Sequence, residues 1–172
     1  MKLKTYSYKK VISTNKTAIN KIKSGINKGI IVSDQQTNGR GSHGKKWISY
    51  KGNLFTTFFF NINKKKNVNE MLKFNCNIVK MTLRKFIKKK INIKYPNDLI
   101  INNEKICGIL QEILRIKNMK YMIVGIGINI DQSPNFQNYK TTHVNQHLKN
   151  KISKKKVFNI LKNIYEKKLK NL

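Results

Sequence analysis

Residues 91–130 decide the fold, and they read INIKYPNDLIINNEKICGILQEILRIKNMKYMIVGIGINI. The stretch is a succession of apolar runs rich in Ile, Leu, Val and Tyr, which are typical of strands. The pair Asn102-Asn103 separates two of these runs, and asparagine tolerates the positive φ of a tight hairpin. A second turn near Asn118 precedes a long apolar run over 121–130. Successive hairpins pair antiparallel, so the stretch predicts an antiparallel sheet and excludes an alternating βαβ chain.

Helices are predicted on both sides of this stretch, because apolar residues recur there at helical spacing. In chain order the predicted elements are a helix that starts at Ser13-Thr14-Asn15 and stops at Gly25, a strand at 29–33, a loop at 35–52, a strand at 53–62, a helix at about 69–89, strands at 91–95, 98–101, 105–116 and 121–130, an irregular segment at 131–150, and a helix at 153–169. The predicted fold class is α+β, with a mixed, largely antiparallel central sheet and helices packed on it. The length of 172 residues suits a single domain, 1–172.

The composition is strongly basic, with 37 Lys and Arg against 7 Asp and Glu and a formal net charge of +30. Lysine is spread along the whole chain together with abundant Asn and Ile, and only Arg40, Arg84 and Arg115 are arginines. A nucleic-acid-binding protein would be expected to cluster its cations and to interleave aromatic residues with them. We therefore favour a compositional bias and predict no specific nucleic-acid partner.

Several other classes of protein are excluded by the same composition. No run approaches the ~18 apolar residues of a membrane span, and the amino end lacks the apolar core of a secretory signal. Cys76 and Cys107 form no paired motif, which argues against a disulfide scaffold or a thiolate zinc site. His143 and His147 lack a third ligand, so we assign no transition-metal site. These features predict no membrane partner and a cytoplasmic location.

The most informative segment for function is 33–55, which reads SDQQTNGRGSHGKKWISYKGNLF. Its glycines leave backbone N–H groups approachable, and Arg40, Lys45 and Lys46 supply positive charge. That combination suits a phosphate. A P-loop is excluded, because Lys46 stands where Ser or Thr would hold magnesium and because a strand follows instead of a helix.

Five motifs in order resemble those of the biotin protein ligases, the enzymes that attach biotin to carboxylase carrier domains. They are Ser13-Thr14-Asn15; Gln36 with Gly39-Arg40-Gly41, Gly44, Trp47 and Gly52-Asn53-Leu54; Lys94-Tyr95-Pro96-Asn97-Asp98; Lys105 to Glu112, KICGILQE; and Gly125 to Asn129, GIGIN. The resemblance runs from about residue 11 to residue 142. It implies a fold of the class II aminoacyl-tRNA synthetase and biotin ligase type.

The resemblance also implies a two-step reaction. The carboxylate of biotin attacks the α-phosphate of ATP and gives biotinyl-5'-AMP and diphosphate; the ε-amine of a carrier lysine then takes the biotinyl group and releases AMP. Biotin and ATP would be the substrates, and Mg2+ would assist. The partner would be the biotin carboxyl carrier protein, the carrier domain of acetyl-CoA carboxylase. A homodimer is one oligomeric state that the sequence leaves open.

The resemblance assigns expected roles to individual residues. The catalytic residues would be Lys105, Arg40 and Asp98; the biotin-binding residues would be Ser13, Thr14, Asn15, Gln36, Gly39 and Gly108; and the residues that bind ATP and the adenylate would be Arg40, Gly41, Gly44, Trp47, Lys105 and Asn129. No metal ligand is certain, although Asp98 could hold Mg2+. Simpler roles stay open, since Ser13 and Thr14 could cap a helix. Likewise, Asp98 could bond its own turn, and Glu112 could be a structural ion-pair partner.

Departures from the family pattern leave alternatives open. The family usually has a second arginine where Ser42 stands, so one alternative is a degenerate ligase that binds biotin without retaining the adenylate. We expect no amino-terminal winged-helix domain, because Ser13 lies so near the start, and no carboxy-terminal SH3-like barrel. The remaining alternatives are a lipoate or octanoate transferase of the related fold and a non-catalytic basic domain that binds nucleic acid in a salt-dependent way.

Overall fold

The computed structural model describes residues 2–62 and 67–171, which form three α-helices and seven strands. In chain order these are β1 (Thr5–Val11), α1 (Thr14–Lys23), β2 (Gly29–Gln36), β3 (Leu54–Ile62), α2 (Val68–Leu83), β4 (Asn92–Lys94), β5 (Asp98–Ile101), β6 (Glu104–Ile116), β7 (Met119–Ile128) and α3 (Lys154–Lys168). Short 3-10 turns occupy Ser42–Gly44, Val144–His147 and Leu169–Asn171. No described helix has the length and the apolar surface that a membrane span requires.

All seven strands join one sheet in the order β1-β2-β3-β7-β6-β5-β4. The β1–β2 pair is parallel, and every other neighbouring pair is antiparallel. The predicted fold class is therefore confirmed, and so are the hairpins that implied it. Asn102 and Asn103 have φ values of 49° and 64° in the turn between β5 and β6, and Lys117, at 51°, lies in the turn between β6 and β7.

Strand β1 is an addition that the sequence did not predict. It lies at the edge of the sheet, and its residues, TYSYKKV, are all half-buried or exposed. An edge strand needs no run of fully buried side chains, so the apolar pattern that marks β3 is missing here. The end of β1 is hydrogen-bonded to the start of the loop that follows β2. The N–H groups of Thr37 and Asn38 donate to the carbonyls of Val11 and Ile12 at 3.0 and 2.9 Å.

Helix α2 ends at Leu83, and the prediction that it would continue to about residue 89 is wrong. After Leu83 the chain makes a turn in which the N–H groups of Phe86 and Ile87 both donate to the Leu83 carbonyl, each at 3.0 Å. Ile87 is nevertheless buried in the core. Buried apolar residues therefore continue past the end of the helix, because a turn can also bury a side chain.

Helices cover both faces of the sheet. On one face, Ala18 and Ile22 of α1 pack in a buried cluster that includes Phe59 of β3. On the opposite face lie α2 and α3, and Tyr165 of α3 stacks on Phe58 of β3 with 3.9 Å between the ring centroids. Alternate side chains of one strand thus reach both layers. Full burial of a side chain such as Phe58 contributes about 1.5–3 kcal/mol to stability.

The segment 131–150, predicted to be irregular, is fixed to the end of the sheet by hydrogen bonds. Oδ1 of the buried Asn53 accepts from the backbone N–H of Ile130 at 2.8 Å. Further along, Thr142 donates its backbone N–H to the Lys105 carbonyl at 2.9 Å. These anchors hold the segment beside the ends of β3, β6 and β7, where the candidate site lies.

Candidate active site

A cavity of about 450 Å³, including its open mouth, lies between the start of α1, the end of β2, the loop that follows β2, and strands β5, β6 and β7. We call it the first cavity, and its lining consists of Ser13, Thr14, Asn15, Gln36, Arg40, Gly41, Ser42, Trp47, Asn97, Asp98, Lys105, Gly108, Ile109, Leu110, Gly125, Ile126 and Gly127. Most of the site residues predicted from the sequence are in this set. The cavity therefore brings together residues from distant parts of the chain.

Thr14 and Gln36 form the first polar contact of this lining. The Gln36 Oε1 atom accepts from the Thr14 backbone N–H at 2.8 Å and from the Thr14 hydroxyl at 3.1 Å. The Gln36 Nε2 group donates to the Ser49 hydroxyl at 3.1 Å. The amide orientation of Gln36 is thus set on both sides. Ser13 occupies the N-cap position of α1, but among the described residues its hydroxyl makes no capping bond.

Asn15 is held by a second set of hydrogen bonds. Its Oδ1 accepts from the Thr57 hydroxyl at 2.6 Å. Its Nδ2 donates to the Leu110 carbonyl at 3.2 Å and to Glu112 Oε2 at 2.6 Å. A side chain at Gly125 would collide with the Asn15 amide, so glycine is needed at that point of β7.

The loop after β2 forms a hairpin over residues 39–47, which we call the glycine hairpin. Its two strands are joined by bonds from Gly41 N–H to the Lys45 carbonyl at 2.7 Å and from Trp47 N–H to the Gly39 carbonyl at 2.8 Å. Gly44 has a φ of 73° at the exposed tip, which a glycine adopts without strain. Neither Gly39, which is buried, nor Gly44 lines the first cavity, whereas Gly41 does.

The glycine hairpin carries Arg40 to the edge of the cavity, where Arg40 forms an ion pair with Glu112. Arg40 Nη2 lies 2.6 Å from Glu112 Oε2, and the two side chains are 41% and 27% exposed. Glu112 is therefore an ion-pair partner, the simpler role that its sequence position allowed. Its carboxylate joins Arg40 to Asn15, since the same Oε2 atom accepts from both.

Lys105 and Asp98 form a second ion pair, with 2.8 Å between Nζ and Oδ1. The two charged atoms are close enough for an ion pair, but Asp98 Oδ1 accepts no hydrogen bond from the described residues. Asp98 begins β5 and lies opposite Gly108 of β6, and the Lys105 side chain passes over Gly108, where an added Cβ atom would lie 3.4 Å from Lys105 Nζ. The Lys105 ammonium also lies 5.5 Å from the Trp47 ring centroid and 5.9 Å from that of Tyr139. A cation and a carboxylate thus share one corner of the cavity.

Trp47 forms a wall of the cavity by occupying the space above two glycines. A Cβ atom at Gly108 would lie 2.7 Å from the indole ring, and one at Gly127 would also collide with it. The indole N–H is buried and has no hydrogen-bond partner among the described residues. The glycines of β6 and β7 therefore admit a large aromatic side chain against the sheet.

A second cavity, of about 270 Å³, lies on the other side of Trp47. It is lined by Lys46, Trp47, Ile48, Lys105, Asn129, Pro134, Phe136, Tyr139 and Thr141. The rings of Phe136 and Tyr139 stack at 4.5 Å between centroids. Asn129 donates from Nδ2 to the Thr142 carbonyl at 3.1 Å, while its buried Oδ1 has no partner in the part of the chain that the structure describes. Trp47 and Lys105 line both cavities.

Comparison with known proteins places these features in a family. The model of the biotin/lipoate A/B protein ligase family matches residues 8–129. The chain belongs to this family. It is 32% identical over 127 residues to the bifunctional ligase/repressor BirA of Bacillus subtilis (strain 168), covering 72% of this chain and 39% of that protein. The chain therefore spans less than half the length of this relative.

Solved structures of other family members have the same fold. The biotin protein ligase of Aquifex aeolicus in complex with biotin and ATP superposes with a TM-score of 0.82 at 26% identity, covering 97% of this chain and 70% of that one. The biotin protein ligase of Leishmania major in complex with biotinyl-5-AMP gives a TM-score of 0.82 at 24% identity, covering 94% and 72%. The sheet and helices of the present chain are thus those of a biotin/lipoate ligase domain.

The chain's thiols are poor nucleophiles in this ligase fold. Burial, reinforced by Asp98, raises the pKa of Cys76 to about 11. Burial also raises the pKa of Cys107 well above its ordinary value. Both thiols therefore remain protonated at neutral pH. Among the described residues, no group of three or more His, Cys, Asp or Glu side chains is placed to bind a metal ion.

Sequence reasoning missed several residues of this candidate site. It named Asn129 but not Phe136 and Tyr139, which complete the second cavity, because the segment that carries them has no periodic pattern. It also missed Thr57 and Ser49, which hold Asn15 and Gln36 in place. Thr57 gave a faint signal, since a polar side chain interrupts the apolar run of β3.

Proposed function

We propose that the chain is an ATP-dependent biotin protein ligase, which makes biotinyl-5'-AMP and transfers biotin to a lysine of a carboxylase carrier domain. One observation carries the proposal: Lys105 lines both cavities. A carboxylate held in the first cavity and a phosphate chain reaching from the second would meet at this ammonium. Two anions react only when they are held together and their charge is neutralised, which is the task of a fixed cation.

The first cavity supports biotin as the acyl donor. The ureido ring of biotin is uncharged and needs neutral donors and acceptors, which Ser13, Thr14 and Gln36 supply. The carboxylate needs cations, which Arg40 and Lys105 supply. Lipoate ends in a disulfide ring with no comparable hydrogen-bonding groups, so it would leave those polar side chains without new partners. These properties favour biotin over lipoate.

The second cavity supports ATP as the co-substrate. Its aromatic residues, Trp47, Phe136 and Tyr139, offer ring surfaces for a purine. The unpartnered Oδ1 of Asn129 is a hydrogen-bond acceptor, which suits the exocyclic amine of adenine. A guanine carbonyl at the same place would meet an acceptor, so the cavity favours adenine.

The two steps of the reaction can be written with these groups. In the first step a carboxylate oxygen of biotin bonds to the α-phosphorus, the bond from that phosphorus to the bridging oxygen breaks, and diphosphate leaves. Lys105 and Arg40 neutralise the charge that grows on the α-phosphate oxygens. In the second step the ε-amine of the carrier lysine bonds to the biotinyl carbonyl carbon, and AMP leaves. Asp98 would hold the incoming ammonium and accept its proton.

Mg2+ fits the donor groups at this corner. The ion takes oxygen ligands and is usually held by one or two carboxylates together with substrate phosphates. Asp98 lines the first cavity and is 25% exposed, so it can supply the carboxylate. When bound, the ion would neutralise charge on the phosphate chain.

The experiment that tests the proposal is mass spectrometry of a purified biotin carrier domain after incubation with the chain, biotin and Mg-ATP. We expect the mass of one biotinyl group on one lysine, and no gain without ATP. A carrier variant whose acceptor lysine is replaced by arginine should stay unlabelled.

Parallel incubations with lipoate and octanoate separate the alternatives. Labelling by lipoate or octanoate, with none by biotin, would assign the chain to the other activity of its family. No labelling by any acid, together with nucleic-acid binding that weakens steeply with salt, would support the basic binding domain instead.

A further inference from the structure

Glu112 lies behind the first cavity and joins two residues that line it. The side chains of β6 alternate between the faces of the sheet, and Gln111 binds Asn75 of α2 at 2.7 Å on one face. Glu112 therefore projects to the other face, where its Oε2 accepts from Asn15 and Arg40, each at 2.6 Å. Glu112 itself is not part of the lining.

The contact uses only one part of the Arg40 guanidinium. Glu112 binds Nη2, and among the described residues it is the only acceptor paired with this guanidinium. A guanidinium is planar and carries five N–H donors in a fixed fork. Fixing Nη2 therefore sets the directions of the remaining donors, which stay available to an anion in the first cavity.

We propose that Glu112 is a positioning residue for the ligase reaction: it holds Arg40 in the orientation in which its free donors face the reacting carboxylate and phosphate. The inference rests on the proposed function, since it concerns the step in which the adenylate forms. Glu112 acts through Arg40 and does not touch the substrates.

Glu112 has two opposing effects on an anion in the cavity. Its negative charge repels the anion, while its hold on Arg40 prevents the guanidinium from turning to solvent. The repulsion is screened, because Glu112 is paired with Arg40 and both side chains are partly exposed to water. The orientation matters more, because the rate of a reaction between held groups depends steeply on their geometry. Removal of the charge should therefore slow the reaction, although it removes a repulsion.

The test compares Glu112→Gln with wild type in diphosphate exchange driven by biotin and Mg-ATP. Glutamine keeps an oxygen that can accept from Asn15 and loses the charge that binds Arg40. We expect the exchange kcat to fall about tenfold, the size of a lost charge-assisted hydrogen bond. The Kd for biotin, measured by titration calorimetry, should change by less than about threefold. Glu104→Gln is the matched control, because Glu104 is a half-buried acid of the same strand that lines neither cavity.

A double-mutant cycle separates positioning from simple support of the fold. In an Arg40→Ala background, Glu112→Gln should have no further effect on kcat, because the group that it positions is gone. An equal loss in both backgrounds would overturn the inference, and so would an exchange rate in Glu112→Gln that matches or exceeds the wild-type rate. If Glu112→Gln fails to fold, Glu112→Asp replaces it. Glu112→Asp keeps the charge but has a shorter side chain. A partial loss of the exchange kcat in this variant supports the inference, and a wild-type kcat overturns it.

The wild-type chain distinguishes this inference from the proposed function. If wild type exchanges diphosphate and Glu112→Gln does so equally well, only the role of Glu112 falls. If wild type shows no exchange with biotin and ATP, both the proposed function and the role of Glu112 fall.

Discussion

The amide side chains of Gln36 and Asn15 in the first cavity are hydrogen-bonded at both ends, whereas the amide of Asn129 in the second cavity is bonded at one end only among the described residues. Gln36 and Asn15 each have both ends of their amide satisfied by neighbouring side chains or backbone. Asn129 has one end satisfied, and its Oδ1 accepts no hydrogen bond within the described residues. The Gln36 and Asn15 amides of the first cavity are therefore oriented before a ligand enters, while the Asn129 Oδ1 atom belongs to a cavity lined by aromatic side chains and still lacks a partner among the described residues.

This difference follows from where the residues lie in the fold. The first cavity is built mainly on the start of α1 and on strands of the sheet, and the glycine hairpin adds Arg40, Gly41, Ser42 and Trp47. The second cavity takes Pro134, Phe136, Tyr139 and Thr141 from the irregular segment after β7. Recognition by several hydrogen bonds suits the first cavity, and stacking of a flat ring suits the second.

The largest expected effect comes from Lys105, which belongs to both cavities. Lys105→Ala should lower the rate of adenylate formation by about 10²–10³-fold, because a preorganised cation at the reacting groups is lost. The fold should survive, since Lys105 lies at the cavity wall and outside the apolar core. Diphosphate exchange measures the rate, and circular dichroism checks the fold.

The matched control for Lys105 is Lys117→Ala, which removes an exposed lysine at a distant turn. An exchange rate of Lys105→Ala close to that of wild type would show that neither cavity depends on this cation.

The next effect should be confined to the first cavity. Thr14→Val keeps the shape of the side chain and removes the hydroxyl that binds Gln36. The biotin Kd should rise about tenfold, since a hydrogen bond that orients the site is worth about 1 kcal/mol or somewhat more. Titration calorimetry with biotin and with ATP separates the two cavities, because ATP binding should stay unchanged.

Thr17→Val serves as the control for Thr14→Val. It removes a hydroxyl of the same helix, which donates to the Ser13 carbonyl. Thr17 lines neither cavity. Equal losses of biotin and ATP affinity in Thr14→Val would contradict the separation of the cavities.

A smaller effect is expected in the second cavity. Asn129→Ala removes the unpartnered acceptor, so the KM for ATP should rise about fivefold while the biotin Kd stays within error. The preference for ATP over GTP should shrink as well, because the acceptor that distinguishes the amine from the carbonyl is gone. Steady-state kinetics with both nucleotides measure the change.

Asn138→Ala is the corresponding control, since Asn138 is exposed on the segment that carries Phe136 and Tyr139. An unchanged preference for ATP over GTP in Asn129→Ala would show that Asn129 does not recognise the base in the second cavity.

The smallest expected effect is that of pH on the segment beside the second cavity. Burial lowers the pKa of His143 and that of His147, so the folded chain favours their neutral forms. The unfolded chain takes up protons first as the pH falls, and stability present above about pH 6.5 is lost progressively below it. The melting temperature should therefore be lower at about pH 5.5 than at about pH 7.5.

Calorimetry of His147→Gln tests this pH effect, because His147 lies 2.8 Å from the Thr142 hydroxyl and the Thr142 carbonyl binds Asn129. Its pH dependence should be weaker than that of wild type. A pH dependence equal to that of wild type would exclude His147 as its source.

Much of the fold could be predicted because local chemistry decides it. The asparagines between β5 and β6 adopt the positive φ that their residue type favours. The apolar run of β3 is a strand buried on both faces. Strand β1 could not be predicted, since an edge strand has few buried side chains, and the end of α2 was misplaced because Ile87 is buried by a turn.

The site was predictable only where a motif lies in one stretch of chain. Contacts between distant stretches gave no signal: Arg40 and Glu112 are 72 positions apart, and nothing in either neighbourhood indicates the other. The same holds for Trp47, whose place depends on the missing side chains of Gly108 and Gly127. Such pairings come from the sheet register, which a linear pattern does not contain.

Trp47 is the only tryptophan of the chain, and its ring forms a wall of both cavities. All indole fluorescence of the protein therefore originates at the boundary between the first and the second cavity. A molecule entering from either side changes the polarity around that one chromophore. The unmodified chain thus carries its own fluorescent probe. The binding of a molecule in either cavity can be followed in solution without a label, whichever molecule is added first.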